Sequence, residues 1–114
     1  MLTLLDLHIA ACVVDTDKKL AQRFQSSVDA VESTAEVAKT IKGIMGRTAN
    51  TGYFKIIRDG AVIGSVDMSL LNGMTDFIPL DIECPPGRPC EVNAHSTTGT
   101  AVAYVTLLVD EAGR

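Results

Sequence analysis

Between Tyr53 and Asp110 the chain is cut into short apolar runs by Asp59-Gly60, Asn72-Gly73, Pro85-Pro86-Gly87 and Thr98-Gly99. Runs this short, rich in Val and Ile and bounded by turn formers, read as β-strands. The sharpest signal is Asp59-Gly60, flanked by Tyr53 to Arg58 and Ala61 to Val66. Both turn residues tolerate the positive φ that a two-residue hairpin needs. The register then expected sets Ile57 opposite Val62 and Ile56 opposite Ile63.

The remaining runs follow the same period of two. In the strand predicted over Phe77 to Cys84, Ile78, Leu80, Ile82 and Cys84 share a face, and Pro79 marks an edge or a bulge because it cannot donate to a ladder. Cys90, Val92 and Ala94 share a face of the next strand. Thr100 to Asp110 is apolar on both sides and is expected to be central and buried. Met68 to Met74 fits either a second hairpin at Asn72-Gly73 or a single helical turn.

The first half is less uniform. Leu5, Leu7, Ile9, Ala11 and Val13 alternate with their neighbours, predicting a strand over 3–14, though Leu2, Leu5, Ile9 and Val13 also satisfy a helical spacing. Asp15-Thr16-Asp17 resembles a helix start. From Leu20 the apolar residues Phe24, Val28, Val31, Ala35, Ala38, Ile41 and Met45 recur every three or four positions, which is one stripe of an amphipathic helix with Gly46 as its end. Thirty residues of helix would span about 45 Å, against about 34 Å for a domain of this length. The helix is therefore assigned to 17–32, and 34–45, with β-branched Thr34, Val37, Thr40 and Ile41, is left open between helix and strand. If the stripe projects, Phe24, Val28, Val31, Ile41 and Met45 are the candidate interface.

A chain of 114 residues, 46% apolar and 21% charged, suits one domain over 1–114, with a strand and helical segment in 1–51 and a β-rich core in 52–114. The expected fold is mainly β with an α+β flavour: an antiparallel β-sandwich, jelly-roll-like, with one amphipathic helical segment in the N-terminal half. The formal charge of −4 gives no footprint for nucleic acid, and Lys39, Lys42 and Arg47 read as a solvated face or a helix end. No apolar run reaches the length of a membrane span, and the start of the chain lacks the basic residues of a secretory signal. Intracellular synthesis is the expectation.

Candidate chemistry is sparse. Cys84 and Cys90 point to one face on either side of the proline-rich turn and are a candidate disulfide; buried free thiols are the alternative. Their spacing does not suit zinc, and Cys12 supplies no partner. Asp6 and His8 share a wetter strand face without a third ligand. His95 lies on a face with Glu91 and Asn93, where an acid–base role would require convergence. No nucleophile elbow, phosphate-cradling glycine loop or calcium loop occurs. No catalytic residue, cofactor or metal is therefore expected.

The runs Gly52 to Gly60, Ile78-Pro79-Leu80-Asp81-Ile82 with its Pro-Pro-Gly turn, and Thr97 to Val105 together resemble the closing strands of jelly-roll-type β-sandwich domains. Such domains occur in bacteriophage and viral structural proteins, including capsid decoration proteins, and in some carbohydrate-binding modules. The resemblance implies a self-assembling or binding domain with no chemistry of its own, such as a capsid, decoration or appendage subunit; it does not fix a localisation. A small-ligand or carbohydrate-binding module is the alternative, and Tyr53, Phe54, Phe77 and Tyr104 are its aromatic candidates.

Overall fold

A computed structural model describes residues 2–22, 30–31, 39–72, 76–85 and 90–111. The strands are β1 (Leu2–Ile9), β2 (Asp17–Lys19), β3 (Ala21–Gln22), β4 (Ala30–Val31), β5 (Lys39–Thr48), β6 (Thr51–Arg58), β7 (Ala61–Asp67), β8 (Ile78–Cys84), β9 (Cys90–Thr98) and β10 (Ala103–Glu111), with one short helix, α1 (Met68–Leu71), between β7 and β8. The pairings are antiparallel and form two sheets, ordered β3-β1-β10-β5-β8 and β2-β9-β6-β7, with β4 also on β9. Pairing is nested: β1 with β10, β2 and β4 with β9, β5 with β8, and β6 with β7. The fold is an antiparallel β-sandwich, as expected.

The core is what alternation demands. Leu7, Ile41, Ile44, Val105 and Leu107 from one sheet meet Phe54, Ile56, Val92 and Ala94 from the other, none more than 1% exposed. Burying a side chain of this kind contributes about 1.5–3 kcal/mol. The last strand is central, lying between β1 and β5. Strand β8 lies at a sheet edge, and its Pro79, Asp81 and Glu83 are exposed while Cys84 is buried.

The hairpin forms at Asp59 (φ 54°) and Gly60 (φ 77°). Ile57 pairs with Val62 as expected, but a bulge moves Ile56 from Ile63 to Gly64. The bulge leaves one residue of β7 unpaired and increases the local twist. Of the two readings for 68–74, the helical turn is the observed one: Asp67 caps it, accepting from the Ser69 backbone N–H at 2.8 Å, and Met68 and Leu71 are buried.

The N-terminal half requires correction. Residues 17–19, 21–22 and 30–31, expected within a helix, are strands β2, β3 and β4; 23–29 and 32 of that segment lie outside the described residues. Strand β9 explains the change, because its edge away from β6 is paired by β2 and β4. In an extended backbone Asp17 and Lys19 face solvent and Leu20 enters the core at 0% exposure. Tertiary pairing overrides the local helical spacing. The open segment resolves as strand from Lys39 onward, and Gly46 lies inside β5 rather than at a helix end. Its role is close approach: a Cβ there would stand 2.7 Å from the Tyr104 carbonyl oxygen and 3.1 Å from Leu71.

The first strand ends at Ile9, short of Val14. Instead of capping a helix, Asp15 adopts φ 57° in a tight turn closed by a Val13–Thr16 bridge.

Candidate functional site

Each sheet turns one face to solvent. On the β2-β9-β6-β7 sheet, register aligns Asp17, His95, Tyr53 and Asp67 in a row across four strands. The next row holds Lys19, Asn93, Lys55 and Ser65. His95 Nδ1–H donates to Asp17 Oδ1 at 2.6 Å, and the Lys55 ammonium reaches Asp17 Oδ2 at 3.0 Å. Tyr53 stacks on His95 with ring centroids 5.0 Å apart and planes 16° from parallel, and Lys55 Nζ lies 5.4 Å from the Tyr53 ring centre.

Charge follows from this geometry. The hydrogen bond from Lys55, then that from His95, holds the Asp17 carboxyl below its ordinary range, against slight desolvation. The Asp17 hydrogen bond raises the Lys55 ammonium reciprocally. Lys19 and Glu91 add an exposed ion pair at 3.5 Å. Asn93 Oδ1, at the centre of the face, is buried without a hydrogen-bond partner, which is a costly state for an amide oxygen.

The sequence grouped His95 with Glu91 and Asn93. Asp17 is the partner it missed, because Asp17 had been assigned to a helix start 78 residues away. Asp17, Lys18 and Lys19 are all charged, so no local alternation marks them as a strand. The arrangement can orient an imidazole and bind a polar group. No serine, threonine or cysteine nucleophile contacts His95 among the described interactions.

The outward face of the β3-β1-β10-β5-β8 sheet has two halves. One half is polar: His8, Tyr104 and Arg47 align across β1, β10 and β5, with His8 stacked on Tyr104 at 6.3 Å and the Arg47 guanidinium 5.9 Å from the same ring. Asp6 accepts a hydrogen bond from Thr106 at 2.5 Å, so Asp6 and His8 share a face without sharing a ligand. The other half carries one apolar row, with the Leu2, Asp110, Thr40 and Glu83 row next to it and the Lys42–Asp81 ion pair at 3.3 Å beside it. Leu4, Leu108, Gly43 and Pro79 align across β1, β10, β5 and β8, and Phe77 packs against Gly43. Leu4 and Leu2 remain 63% and 60% exposed.

Of the candidate interface residues, Met45 is half-buried on this outward face, whereas Ile41 is 0% exposed and belongs to the core. That part of the expectation is corrected: Ile41 faces the opposite sheet because β5 is a strand. Phe24 and Val28 lie outside the described residues, as does the side chain of Val31. Phe54 is likewise in the core and offers no aromatic platform.

Clefts flank these faces among the described residues. One of about 430 Å³ is lined by Arg47, Thr48, Ala49, Asn72, Ala101, Val102 and Tyr104; a smaller one of about 220 Å³ is lined by Ile57, Asp59, Gly60 and Glu91. Neither contains His95. Beside the larger cleft, Asn50 is fully engaged: its Nδ2 donates to Thr48 Oγ1 at 2.9 Å and to the Ala101 carbonyl at 2.8 Å, while its Oδ1 accepts from the Ala101 N–H at 3.0 Å. Among the described residues no group of three His, Cys, Asp or Glu side chains could hold a metal.

Cys12, Cys84 and Cys90 are buried and unbridged. Compared with protein-family models, with curated proteins and with solved structures, the chain finds no match in any of the three.

Proposed function

We propose that this chain is a non-enzymatic structural subunit that assembles with copies of itself through the apolar row of the β1-β10-β5-β8 face. The observation that carries the reading is the Leu4–Leu108–Gly43–Pro79 row, with Leu2, Met45 and Phe77 beside it. Single exposed leucines are ordinary. An apolar row that crosses four strands and stays exposed at Leu4 and Pro79, with polar residues around it, supports association.

The strand order supports the reading. Pairing β1 with β10, β2 with β9, β5 with β8 and β6 with β7 across two sheets, with β3 and β4 added at their edges, agrees with the nesting expected of an eight-stranded jelly roll made of two Greek keys. We read the fold as that jelly roll, which agrees with the resemblance to viral capsid and decoration subunits, although fold alone does not assign function. Light scattering coupled to size exclusion, with imaging of the concentrated protein for rings, shells or filaments, tests the assignment. A monomer with no ordered assembly at any concentration refutes it.

A second reading has its own observation. The orphaned Asn93 Oδ1, ringed by Lys19, Lys55 and the Tyr53–His95 stack, suits a small polyhydroxylated ligand that would donate to the amide oxygen. Chemical-shift perturbation of residues 53, 55, 93 and 95 on titration with a set of mono- and disaccharides tests it; unmoved resonances discard it.

A further inference from the structure

Cys84 ends β8 in one sheet and Cys90 begins β9 in the other, and only residues 85–89 separate them in sequence. Both are 0% exposed and belong to the same core cluster. Their thiols share a hydrogen bond. Arg58 sits opposite Cys90 in the β6–β9 ladder, and its Nη1 donates to the Glu83 carbonyl on β8. That guanidinium therefore spans from one sheet to the other beside the two sulfurs. Lys39 lies opposite Cys84 in the β5–β8 ladder. Cys12 is elsewhere: its backbone N–H donates to Ala101, and its thiol lies beside Asn50.

We propose that Cys84 and Cys90 are an oxidisable pair that closes into an inter-sheet disulfide when the chain meets a small-molecule disulfide such as oxidised glutathione. One cysteine loses its proton, and the thiolate attacks a sulfur of the oxidant. The oxidant's S–S bond breaks, one reduced thiol leaves, and a mixed disulfide remains on the protein. The second cysteine, deprotonated in turn, attacks the protein sulfur of that mixed disulfide and expels the second reduced thiol. In balance, two S–H bonds are lost, one protein S–S bond forms, and the oxidant is reduced by two electrons to two thiols.

The surroundings favour this pair over Cys12. A thiolate is the attacking species. The hydrogen bond from Cys84, aided by the Arg58 cation, lowers the Cys90 thiol despite burial. The same hydrogen bond, with burial, raises Cys84, so the pair releases its first proton more readily than its second. Burial alone pushes the Cys12 thiol up, only partly opposed by Asn50. Because both paired sulfurs are sealed, attack requires local opening of the β8–β9 end, and the rate of closure tracks that opening. Once formed, the bond ties the edge strand of one sheet to the facing sheet.

The test uses the full chain, incubated with oxidised glutathione in subdenaturing urea, then alkylated in denaturant and mapped by mass spectrometry. The expected result is a linked Cys84–Cys90 peptide, an alkylated Cys12, and a higher melting temperature than the dithiothreitol-treated protein. Cys12→Ser should oxidise at the wild-type rate, and Cys90→Ala should stop at a mixed disulfide. Replacing Arg58 by Gln should move the pH profile of closure upward, a change that loss of packing alone would not produce. Three alkylated thiols after prolonged exposure, a link through Cys12, or a persistent mixed disulfide in the wild type would overturn the proposal. The wild-type map decides it even if Cys90→Ala fails to fold.

Discussion

Leu4 stands directly opposite Leu108 in the β1–β10 ladder, on the face turned away from the core, while Leu5 opposes Leu107 on the other side of the same two strands. Leu4 is 63% exposed and Leu107 is 0% exposed. Two leucine pairs one residue apart thus belong to different environments, one packed by the fold and the other left in water by the isolated chain. The period of two in an extended backbone makes this division unavoidable.

That division predicts opposite mutational outcomes. Leu107→Ala should destabilise the fold by about 2–5 kcal/mol, because it leaves a cavity between the sheets. Leu4→Ala should change the stability of the dilute protein by no more than about 0.5 kcal/mol. Urea unfolding at low concentration measures both.

The Asp17–Lys55–His95 cluster predicts a pH window. Asp17 has a folded pKa below its unfolded value, so its contribution is fully present above the unfolded value, near 3.8, and is lost as pH falls through the lower folded value. Lys55 is raised, so its contribution is present below its unfolded value of 10.5 and is lost as pH rises through the folded one. Asp17→Asn should therefore be less stable than the wild type from about pH 4 to about pH 10, with the gap closing at either extreme. Both side chains reach solvent, so the gap is small and shrinks in high salt. Thermal melts at pH 2.5, 7 and 11 test the sign at each point.

Asn50 predicts a larger cost. It is 4% exposed, and its amide pairs with both backbone groups of Ala101 as a neighbouring strand would. Removing the amide in Asn50→Ala strands the Ala101 N–H, while the Ala101 carbonyl keeps the Cys12 N–H, a loss of about 1–3 kcal/mol. Hydrogen exchange should show faster exchange of the Ala101 amide before global stability is lost.

How much of this was legible in the sequence depended on where each residue finds its partner. The Asp59-Gly60 hairpin, the buried faces of β8 and β9 and the central position of β10 follow from local turn chemistry and alternation, and the structure agrees with each. Residues 17–22 were misread because Leu20 fits a helical stripe as well as an extended core position. What decides between them is β9, some seventy residues later, which offers an unpaired edge. The same distance hid the Asp17–His95 contact. The bulge that shifts Ile56 to Gly64 had no signal, since one unpaired residue in a ladder leaves the composition of the strand unchanged.

The central claim is that the outward row of Leu4, Leu108, Gly43 and Pro79 is covered by another copy of the chain. Sedimentation equilibrium over a wide concentration range, on the wild type and on Leu4→Glu, tests it most directly. The account predicts a wild type whose mass rises to a multiple of the monomer and a Leu4→Glu variant that stays monomeric with an unchanged melting curve. A wild type that is monomeric throughout, or a variant that associates as strongly as the wild type, would contradict it.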